Sequence, residues 1–488
     1  MIISSFRVRL GLILFFTLSS LSATFGFQTF TDYVITTDSI AGPGSLHDAL
    51  VAIDGQTGSF RITFDSTLKG ARIPYGYVIE VLAGDLIMDG DVDGDDVADV
   101  ILDGQLNATG INSATTATKF ELHNIEFENI SYRNFYREIF RLNSQVIQVQ
   151  NCSFSNFRGY LFYSSGNVTV NNTTFTASRN VYGLFVLNGG YGTITNCVFN
   201  DIKSIPGWTI FFQLRGGALT LQNTLIHDNE ITIPFRSIGG QVTLSHVTMA
   251  DNTIFTRNTS YDAHTFYGEN GAQFTLENSL LVSNLAPNGS NPGSSIDPES
   301  DFQSTGTLFD DDLTGYFNNL SGGDFTPAKG SPAFDAGEFG LVGDLTTDLA
   351  GNPRPSYGFG TDAGAFERQF LPTTTTFYYT VTNTQSSGPG SLNAILDSVN
   401  LTAGNHFISF ADTVAGQTIP FERKIDLAGS LTILGDIDGD QRSDVTLSSN
   451  GHEAGITSTT RDVVLTLDGE RTSQVYLPLK RYGLPCHR

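Results

Sequence analysis

Two acidic loops in the 488-residue sequence have residue types and a spacing that suit a calcium ion. They read GDVDGDDVADV at 90–100 and GDIDGDQRSDV at 435–445. Both loops depart from an EF-hand loop in two ways. Glycine is at the fourth position, and leucine is at the twelfth, where an EF-hand loop needs a bidentate glutamate. We interpret the loops as weak extracellular Ca²⁺ sites or, alternatively, as solvated Asp-Gly turns. The candidate ligands, at the first, third, fifth and ninth positions, are Asp91, Asp93, Asp95, Asp99, Asp436, Asp438, Asp440 and Asp444.

Other candidate residues lie on an internal repeat of seven short segments between residues 120 and 281. Each segment, such as VTVNNTTF at 168–175, has alternating apolar residues, then asparagine, then an apolar residue three positions further on. Asparagine tolerates the left-handed backbone of a sharp bend, and its amide can bond to the asparagine of the next coil. His246 replaces asparagine in the sixth segment. The column asparagines are Asn124, Asn151, Asn172, Asn196, Asn223 and Asn278.

The spacing of this asparagine column predicts the fold. Repeats that lie 21 to 32 residues apart and alternate with a period of two are typical of the rungs of a parallel β-helix. Helical repeats fit less well because β-branched residues and glycine-rich gaps oppose helices, and a β-propeller blade needs about 40 residues. We therefore predict an all-β parallel β-helix solenoid. Its second inward strand begins at Phe127, Phe154, Phe175, Phe199, Ile226, Met249 and Leu281.

Two cysteines provide a test of the coil alignment that the asparagine column predicts. Cys152 and Cys197 each follow the asparagine of their own coil, and the coil of Asn172 lies between them. Two rungs of about 4.8 Å separate the two residues, which exceeds the Cα separation of roughly 7 Å that a disulfide can span. We predict that both cysteines are reduced and buried.

Stacked coils would also align charged residues. Asp201, Asp228 and Asp251 each follow the column position by five residues on successive coils. A basic ladder follows it by seven residues: Arg158, Arg179 and Lys203. Carboxylates of adjacent coils that bind Ca²⁺ beside a base would neutralise an acidic sugar and acidify the proton that the base removes. The three aspartates are thus candidate metal ligands, with Lys203 or Arg179 as the base; the alternative is a solvated outer face.

Composition and the N-terminus indicate a location. The chain has 26 Lys and Arg against 50 Asp and Glu residues, a net charge of −24. This charge argues against nucleic acid as a partner, because phosphates need a basic surface. Residues 1–26 have the arginines, apolar run and small residues of a secretory signal peptide, with a membrane anchor as the alternative. We predict a secreted or cell-surface protein without a later transmembrane span.

A block after the coils carries a family resemblance. It contains SPAFDAG at 331–337, GNPR at 351–354 and DAGAFE at 362–367, in that order. This block resembles the terminal block of choice-of-anchor Q type proteins, which are exported bacterial proteins. The resemblance implies a right-handed, pectin-lyase-like β-helix that the block closes, and a bacterial envelope or extracellular location. It implies no particular activity, because fold does not give function.

A second region repeats the start of the chain. YYTVTNTQSSGPGSLNAIL at 378–396 matches DYVITTDSIAGPGSLHDAL at 32–50, and the match continues through both acidic loops. Each copy predicts a strand, a short helix capped by Ser45 or Ser391, and further strands. We interpret the second copy as the start of a second, truncated β-helix. The predicted boundaries are signal peptide 1–26, N-terminal capping module 30–112, coils 113–300, closing block 301–370, linker 371–376, second capping module 377–470 and aberrant tail 471–488.

These observations favour a functional class. We expect an exported β-helix protein with a binding, adhesin-like or structural role towards carbohydrate or envelope partners. The alternative is a Ca²⁺-dependent, pectate-type polysaccharide lyase that acts on acidic glycans. Ca²⁺ is the one cofactor that the sequence indicates, and calcium titration together with substrate screening separates the two hypotheses.

Overall fold

The computed structural model describes residues 29–468 except for short segments. Those segments are 107–108, 115–116, 132–137, 205–208, 256–263, 286–299, 329, 335, 344, 355–360, 369–375, 401, 403, 428–429, 439–441, 453 and 459–464. The predicted signal peptide, most of the predicted linker, the predicted tail and Asp440 therefore lie outside the described residues. No helix among the described residues is long and apolar enough to cross a membrane.

The first 28 strands form one continuous parallel arrangement. Strands β1 to β9 are Phe30–Ile35, Ser59–Phe64, Arg72–Pro74, Val78–Val81, Gly84–Asp89, Val100–Asp103, Gly110–Ser113, Ala117–His123 and Ile125–Glu128. Strands β10 to β18 are Glu138–Leu142, Val146–Gln150, Ser153–Ser155, Gly159–Ser164, Asn167–Asn171, Thr174–Leu187, Tyr191–Thr195, Val198–Ser204 and Ile210–Arg215. Strands β19 to β28 are Ala218–His227, Glu230–Ile231, Ile233–Ile238, Gln241–Ala250, Thr253–Ile254, Phe266–Glu269, Gln273–Glu277, Leu280–Val282, Asp301–Thr305 and Leu308–Asp310.

Each strand pairs in parallel with the equivalent strand of the next coil, which makes the solenoid. A first sheet precedes the asparagine column and runs through β1, β2, β5, β8, β11, β14, β16, β19, β22, β25 and β27. A second sheet follows the column and includes β9, β12, β15, β17, β19, β22, β26 and β28. A third sheet includes β7, β10, β13, β15, β18, β21 and β24. The predicted all-β parallel β-helix is confirmed.

The core consists of inward side chains that stack from rung to rung. All seven residues predicted to begin the second inward strand are at most 1% exposed. Phe154 and Phe175 stack with ring centroids 5.2 Å apart, and Phe175 and Phe199 stack at 4.7 Å. A second phenylalanine stack runs inside the third sheet and includes Phe162 and Phe185, 5.1 Å apart. Because identical positions repeat at the strand spacing of about 4.8 Å, flat rings lie at contact distance on successive rungs.

The asparagine column marks the corner between the first and second sheets. All seven positions, His246 included, have φ between 46° and 55°, the left-handed conformation that asparagine tolerates best among residues with a side chain. The side-chain amides bond along the stack: Asn151 donates to Asn124 at 3.0 Å, and Asn223 donates to Asn196 at 2.8 Å. Asn196 departs from the row, since its amide bonds to Asn171. All seven positions thus have the left-handed backbone of a corner, and the side-chain amides bond along part of the column.

The two cysteines behave as predicted. Cys152 and Cys197 are free and buried. Each thiol lies near the backbone carbonyl two residues before it, at 3.3 Å for Cys152 and 3.2 Å for Cys197. Burial raises the pKa of both thiols to about 12, so they remain protonated and act as small apolar core residues.

Residues 311–367 fold back against the side of the coils. The segment contains an antiparallel pair, β29 (Phe317–Asn319) and β30 (Asp324–Pro327), and two short 3₁₀ helices, Leu320–Gly322 and Phe339–Leu341. Outward apolar side chains of successive rungs pack against it; they are Leu225, Ala250, Leu280 and Val282. The family resemblance implied a block that closes the end of the helix, but most of it lies along the flank, because the apolar outward positions are there.

A second region has its own core. Its elements are β31 (Thr376–Val381), α2 (Leu392–Val399), β32 (Asn405–Phe410), β33 (Thr418–Pro420), β34 (Lys424–Leu427), β35 (Ser430–Leu434), β36 (Thr446–Ser448), β37 (Gly455–Ser458) and β38 (Leu465–Asp468). The first region has the same order at its start, with α1 (Leu46–Ile53) between β1 and β2. Ser45 and Ser391 each accept a hydrogen bond at 3.3 Å from the backbone N–H three residues later. The two predicted N-caps are confirmed.

Candidate functional site

The first acidic loop lies between β5 and β6 and is held by its own backbone. The Asp91 carboxylate accepts hydrogen bonds from the backbone N–H groups of Gly94 at 2.6 Å and Asp96 at 2.9 Å. Burial alone would raise the pKa of Asp91, but these backbone donors outweigh it and lower the pKa. One oxygen from each of Asp91, Asp93, Asp95 and Asp99 lies within 4.8 Å of the others. The structure therefore brings together all four ligands that the sequence predicts for this loop.

A lysine neutralises part of this cluster. The Lys69 ammonium group pairs with Asp93 and lies 2.9 Å from Asp99. The hydrogen bonds that Lys69 donates to Asp93 and Asp99 raise the pKa of Lys69, which keeps it charged. Sequence analysis missed Lys69 because it precedes the loop by more than 20 residues and has no spacing of its own.

The second acidic loop repeats the arrangement, with Arg442 at the position of Val97 and no lysine at the position of Lys69. Asp436, Asp438 and Asp444 also each have an oxygen within 4.8 Å of the others. Asp444 accepts from the backbone N–H of Ile437 at 2.6 Å. Gly70 donates to the carbonyl of Asp99 at 2.7 Å, and Gly416 donates likewise to Asp444 at 2.6 Å. These equivalent bonds place Ala415 where the first loop has Lys69.

The donor set of both loops fits a hard cation. Carboxylate oxygens are the ligands that Ca²⁺ prefers, and a site with few fixed ligands has the low affinity of extracellular modules. In the first loop the Asp91 oxygens already accept backbone hydrogen bonds, and Lys69 competes for Asp93 and Asp99. The second loop keeps the carboxylates without a lysine at that position.

The predicted carboxylate row on the coils has a structural origin. Asp201, Asp228 and Asp251 have φ of 49°, 55° and 54°. The same left-handed bend recurs five residues after the column on the other coils, at Asn129, Asn156, Ala177 and Ser283. The aspartates therefore sit at a second corner that needs a short polar residue or one tolerant of this backbone. The common spacing of the three aspartates therefore reflects this corner. From the sequence alone, we interpret the same spacing as a row of candidate metal ligands.

The structure does not gather these aspartates and bases into one metal site. Asp201 pairs with Arg179 at 3.1 Å, Lys203 with Glu230 at 3.0 Å, and the Asp228 carboxylate lies 2.6 Å from Nδ1 of His227. Burial raises the pKa of Asp251, and the charge on Asp228 adds to this. Among the described residues, the groups of three or more clustered metal-binding side chains are the two acidic loops.

A buried ionic network joins the folded-back block to the asparagine column, and sequence analysis did not foresee it. Arg354 donates to Glu367 at 2.7 Å and to the Asn223 side-chain oxygen at 2.8 Å. Both charged side chains are at most 4% exposed. Burial raises the pKa of Glu367, Asp362 adds to this, and Arg354 opposes it. The sequence motifs GNPR and DAGAFE supply this pair, so they anchor the block to the flank of the coils.

His246 occupies the asparagine column beside this network. Its Nε2 lies 3.1 Å from the amide nitrogen of Asn278, which can only donate, so Nε2 is the acceptor. The ring proton is therefore on Nδ1, which lies 3.1 Å from the hydroxyl of Ser245. Burial lowers the pKa of His246 to about 3, and the charge on Arg354 adds to this, so the ring is neutral.

The fold and these contacts define a class, the right-handed parallel β-helix. The family model described as "Right handed beta helix region" matches residues 100–233 and 139–318. No curated protein matches the sequence. The solved structures similar to this chain include a PL6 family alginate lyase, AlyGC, at 12% identity and TM-score 0.23, over 90% of this chain and 71% of that one. A mutant of the same lyase aligns at 9% identity and TM-score 0.31, over 90% and 72%.

Proposed function

We propose that this protein is an exported, surface-associated or secreted β-helix protein with a binding, adhesive or structural role towards carbohydrate. The observation that carries the proposal is the unbroken register of the first sheet from β11 to β25. Such a register fixes outward side chains in straight rows, and a rigid repeating surface suits a repeating polymer. The arginine-containing, apolar N-terminal sequence supports export.

The test combines location with binding. The full-length chain, expressed with its N-terminal residues in a bacterial host, should accumulate in the envelope or medium and lose residues from its N-terminus, as mass spectrometry would show. The exported protein should then be retained on an insoluble polysaccharide in a pull-down. A chain that stays in the cytoplasm with an intact N-terminus would contradict export, and retention on no polysaccharide would contradict the carbohydrate role.

We also propose that the acidic loops bind Ca²⁺ weakly and stabilise the regions that contain them. The clustered oxygens of Asp91, Asp93, Asp95 and Asp99, and those of Asp436, Asp438 and Asp444, support this proposal. Millimolar Ca²⁺ should raise the midpoint of thermal unfolding, and an equal concentration of Mg²⁺ should raise it less, because Mg²⁺ keeps its waters. An unchanged midpoint would leave the loops as turns.

The lyase hypothesis remains as a second candidate, since two charged groups of the proposed site, Asp228 and Asp251, do influence one another. It predicts that alginate or polygalacturonate acquires the ultraviolet absorbance of an unsaturated uronide in the presence of Ca²⁺. Lys203→Ala and Arg179→Ala should abolish that absorbance. Arg179 and Lys203 are each paired with a carboxylate, so either one would have to leave that partner before it could remove a proton from the substrate.

A further inference from the structure

We propose that the outward face of five successive rungs of the first sheet binds a linear, uncharged polysaccharide, whose chain lies along the helix axis. We call this face the polar strip; it comprises the outward residues of β14, β16, β19, β22 and β25. The inference rests on the proposed carbohydrate role and names both the surface and the chemical class of its ligand.

The centre of the polar strip is a row of five threonines. Parallel register pairs Thr169 with Thr193, Thr193 with Thr220, Thr220 with Thr243, and Thr243 with Thr275. The residues on either side of each threonine are buried in the core, as Val168 and Val170 are, so the threonines point outward. All five are accessible to solvent. The row thus presents one hydroxyl and one methyl group per rung, at intervals of about 4.8 Å.

These hydroxyl groups are available to a ligand. No hydrogen bond within the described part of the chain engages the five threonine side chains. A hydroxyl both donates and accepts, as does a sugar hydroxyl, so the pairing works in either direction. An extended chain of β-linked sugars advances by about one rung per residue, so successive sugars would meet successive threonines.

One flanking row adds amides and an aromatic ring. It runs through Asn167, Tyr191, Ala218, Gln241 and Gln273. The Gln241 amide donates to Gln273 at 2.7 Å, so amides along this row are already oriented. Tyr191 is 68% exposed, so most of its ring is open to a ligand. An exposed tyrosine beside hydroxyl groups can stack on the apolar face of a sugar while the hydroxyls bond to its edge.

The other flanking row supports an uncharged ligand. It runs through Asn171, Thr195, Gln222, Ser245 and Glu277. Glu277 is the only charged residue among the fifteen positions of the polar strip, all of which the structure describes, although the whole chain carries a net charge of −24. An acidic glycan would need cationic partners and would be repelled by the whole protein. The strip therefore complements a neutral polymer.

Charge on other outward faces sharpens this contrast. The outward side of the third sheet holds the ion pair Arg236–Glu269 at 2.6 Å. Strands β15, β17 and β20, at and after the second corner, hold the pairs Arg179–Asp201 and Lys203–Glu230. Charged outward residues thus form ion pairs on these other faces, whereas the polar strip carries a single charged residue, Glu277.

The test removes hydroxyl groups and keeps the shape of the strand. Thr193→Val with Thr220→Val preserves β-branching, so the fold tolerates the change. The matched control is Thr174→Val with Thr176→Val, two outward threonines of the second sheet. Full-length proteins are tested for retention on cellulose and chitin, with soluble alginate as the acidic probe. We expect the strip variant to bind cellulose or chitin about tenfold more weakly, because two hydrogen bonds are lost, and the control to bind as the unaltered protein does.

The outcomes separate this inference from the proposed function. Equal binding of both double variants to cellulose or chitin would overturn the polar strip and leave the carbohydrate role intact. Preference for alginate over both neutral polymers would overturn the neutral ligand. No retention on cellulose or chitin, together with no binding of soluble alginate, would overturn both proposals. A regular row of threonines could also order water; loss of ice-growth inhibition in the strip variant, without polysaccharide binding, would assign the strip to ice and overturn the proposal.

Discussion

The two regions of the chain start alike and differ in how they neutralise charge. In the first region, Lys69 enters the acidic loop and a buried Arg354–Glu367 pair docks a whole segment onto the coils. The second region has Ala415 in the place of Lys69, and its core is a separate apolar cluster. At one pair of equivalent outward positions, the first region has Asp32 and Arg61, while the second has Tyr378 and Phe407.

The framework that the two regions share does not depend on the charges it carries. The strand register around each acidic loop is set by apolar inward residues, and Ile62 and Ile408 are both fully buried in equivalent strands. Charged side chains at the rim can then change without loss of the framework. We expect the two regions to respond separately to acid, calcium, helix capping and salt.

The largest expected difference between the two regions is their response to acid. The folded-state pKa of His246, about 3, lies below its unfolded value of about 6.5. Below about pH 6.5 the unfolded chain binds a proton at His246 that the folded chain does not bind. The contribution of neutral His246 to the free energy of unfolding is therefore complete above this pH and is lost as the pH falls towards 3. His246→Asn restores the column residue and should remove up to about 4 kcal/mol of this loss at pH 3.

Hydrogen exchange by mass spectrometry, at pH 7.5 and again in acid, measures this effect for each region. Peptides from β19 to β25 should be better protected in His246→Asn than in the unaltered protein, but only in acid. Peptides from the second region serve as the internal control, and protection there should be the same in both proteins. An equal loss of protection in both proteins on acidification would show that His246 is not the responsible group.

The next largest difference is in the affinity of the two acidic loops for Ca²⁺. Lys69→Ala should raise the affinity of the first loop for Ca²⁺ about fivefold to a thousandfold, because an ammonium group within about 4 Å of a cation costs about 1 to 4 kcal/mol, depending on the local dielectric. Ala415→Lys should lower the affinity of the second loop by a similar factor. Calorimetric titration at low salt measures both changes, with Lys119→Ala as the control, because Lys119 pairs with Glu121 elsewhere on the surface. Unchanged affinity in Lys69→Ala would contradict the competition.

Residues whose conformation has a local cause could be predicted from the sequence. The asparagines of the column were found because a left-handed corner selects asparagine on every coil, and Ser45 and Ser391 were found because an N-cap is a property of four residues. Contacts between distant segments could not be predicted in this way. Arg354 reaches Asn223 across 131 residues, and Lys69 reaches Asp93 across 24. Asp201, Asp228 and Asp251 share one spacing, but that spacing marks a corner, so a regular row alone did not reveal how its side chains are used.

A smaller effect comes from the two helix caps. Ser45→Ala and Ser391→Ala should each destabilise their own helix by about 1 kcal/mol, because the backbone N–H three residues later loses its acceptor. Exchange rates of the amides in α1 and α2 provide the measurement, and each variant serves as the control for the other. If Ser45→Ala accelerated exchange in α2 as much as in α1, the two regions would be one cooperative unit, in spite of their separate cores.

The smallest expected effect is a difference in salt dependence between equivalent outward pairs. Arg61 lies 3.7 Å from Asp32, and both side chains are largely exposed, so the pair contributes at most about 0.5 kcal/mol and is screened by salt. Tyr378 and Phe407 stack with centroids 5.4 Å apart, and this contact does not depend on ionic strength. Arg61 also lies over the Phe30 ring, 4.7 Å from its centroid, so Asp32→Ala is the variant that removes the ion pair alone. The destabilisation caused by Asp32→Ala should vanish at 1 M salt, while that caused by Phe407→Ala should persist. Denaturant unfolding at two salt concentrations measures both, and a salt-dependent effect of Phe407→Ala would show that neighbouring charges, and not the ring contact, set the stability of the second region.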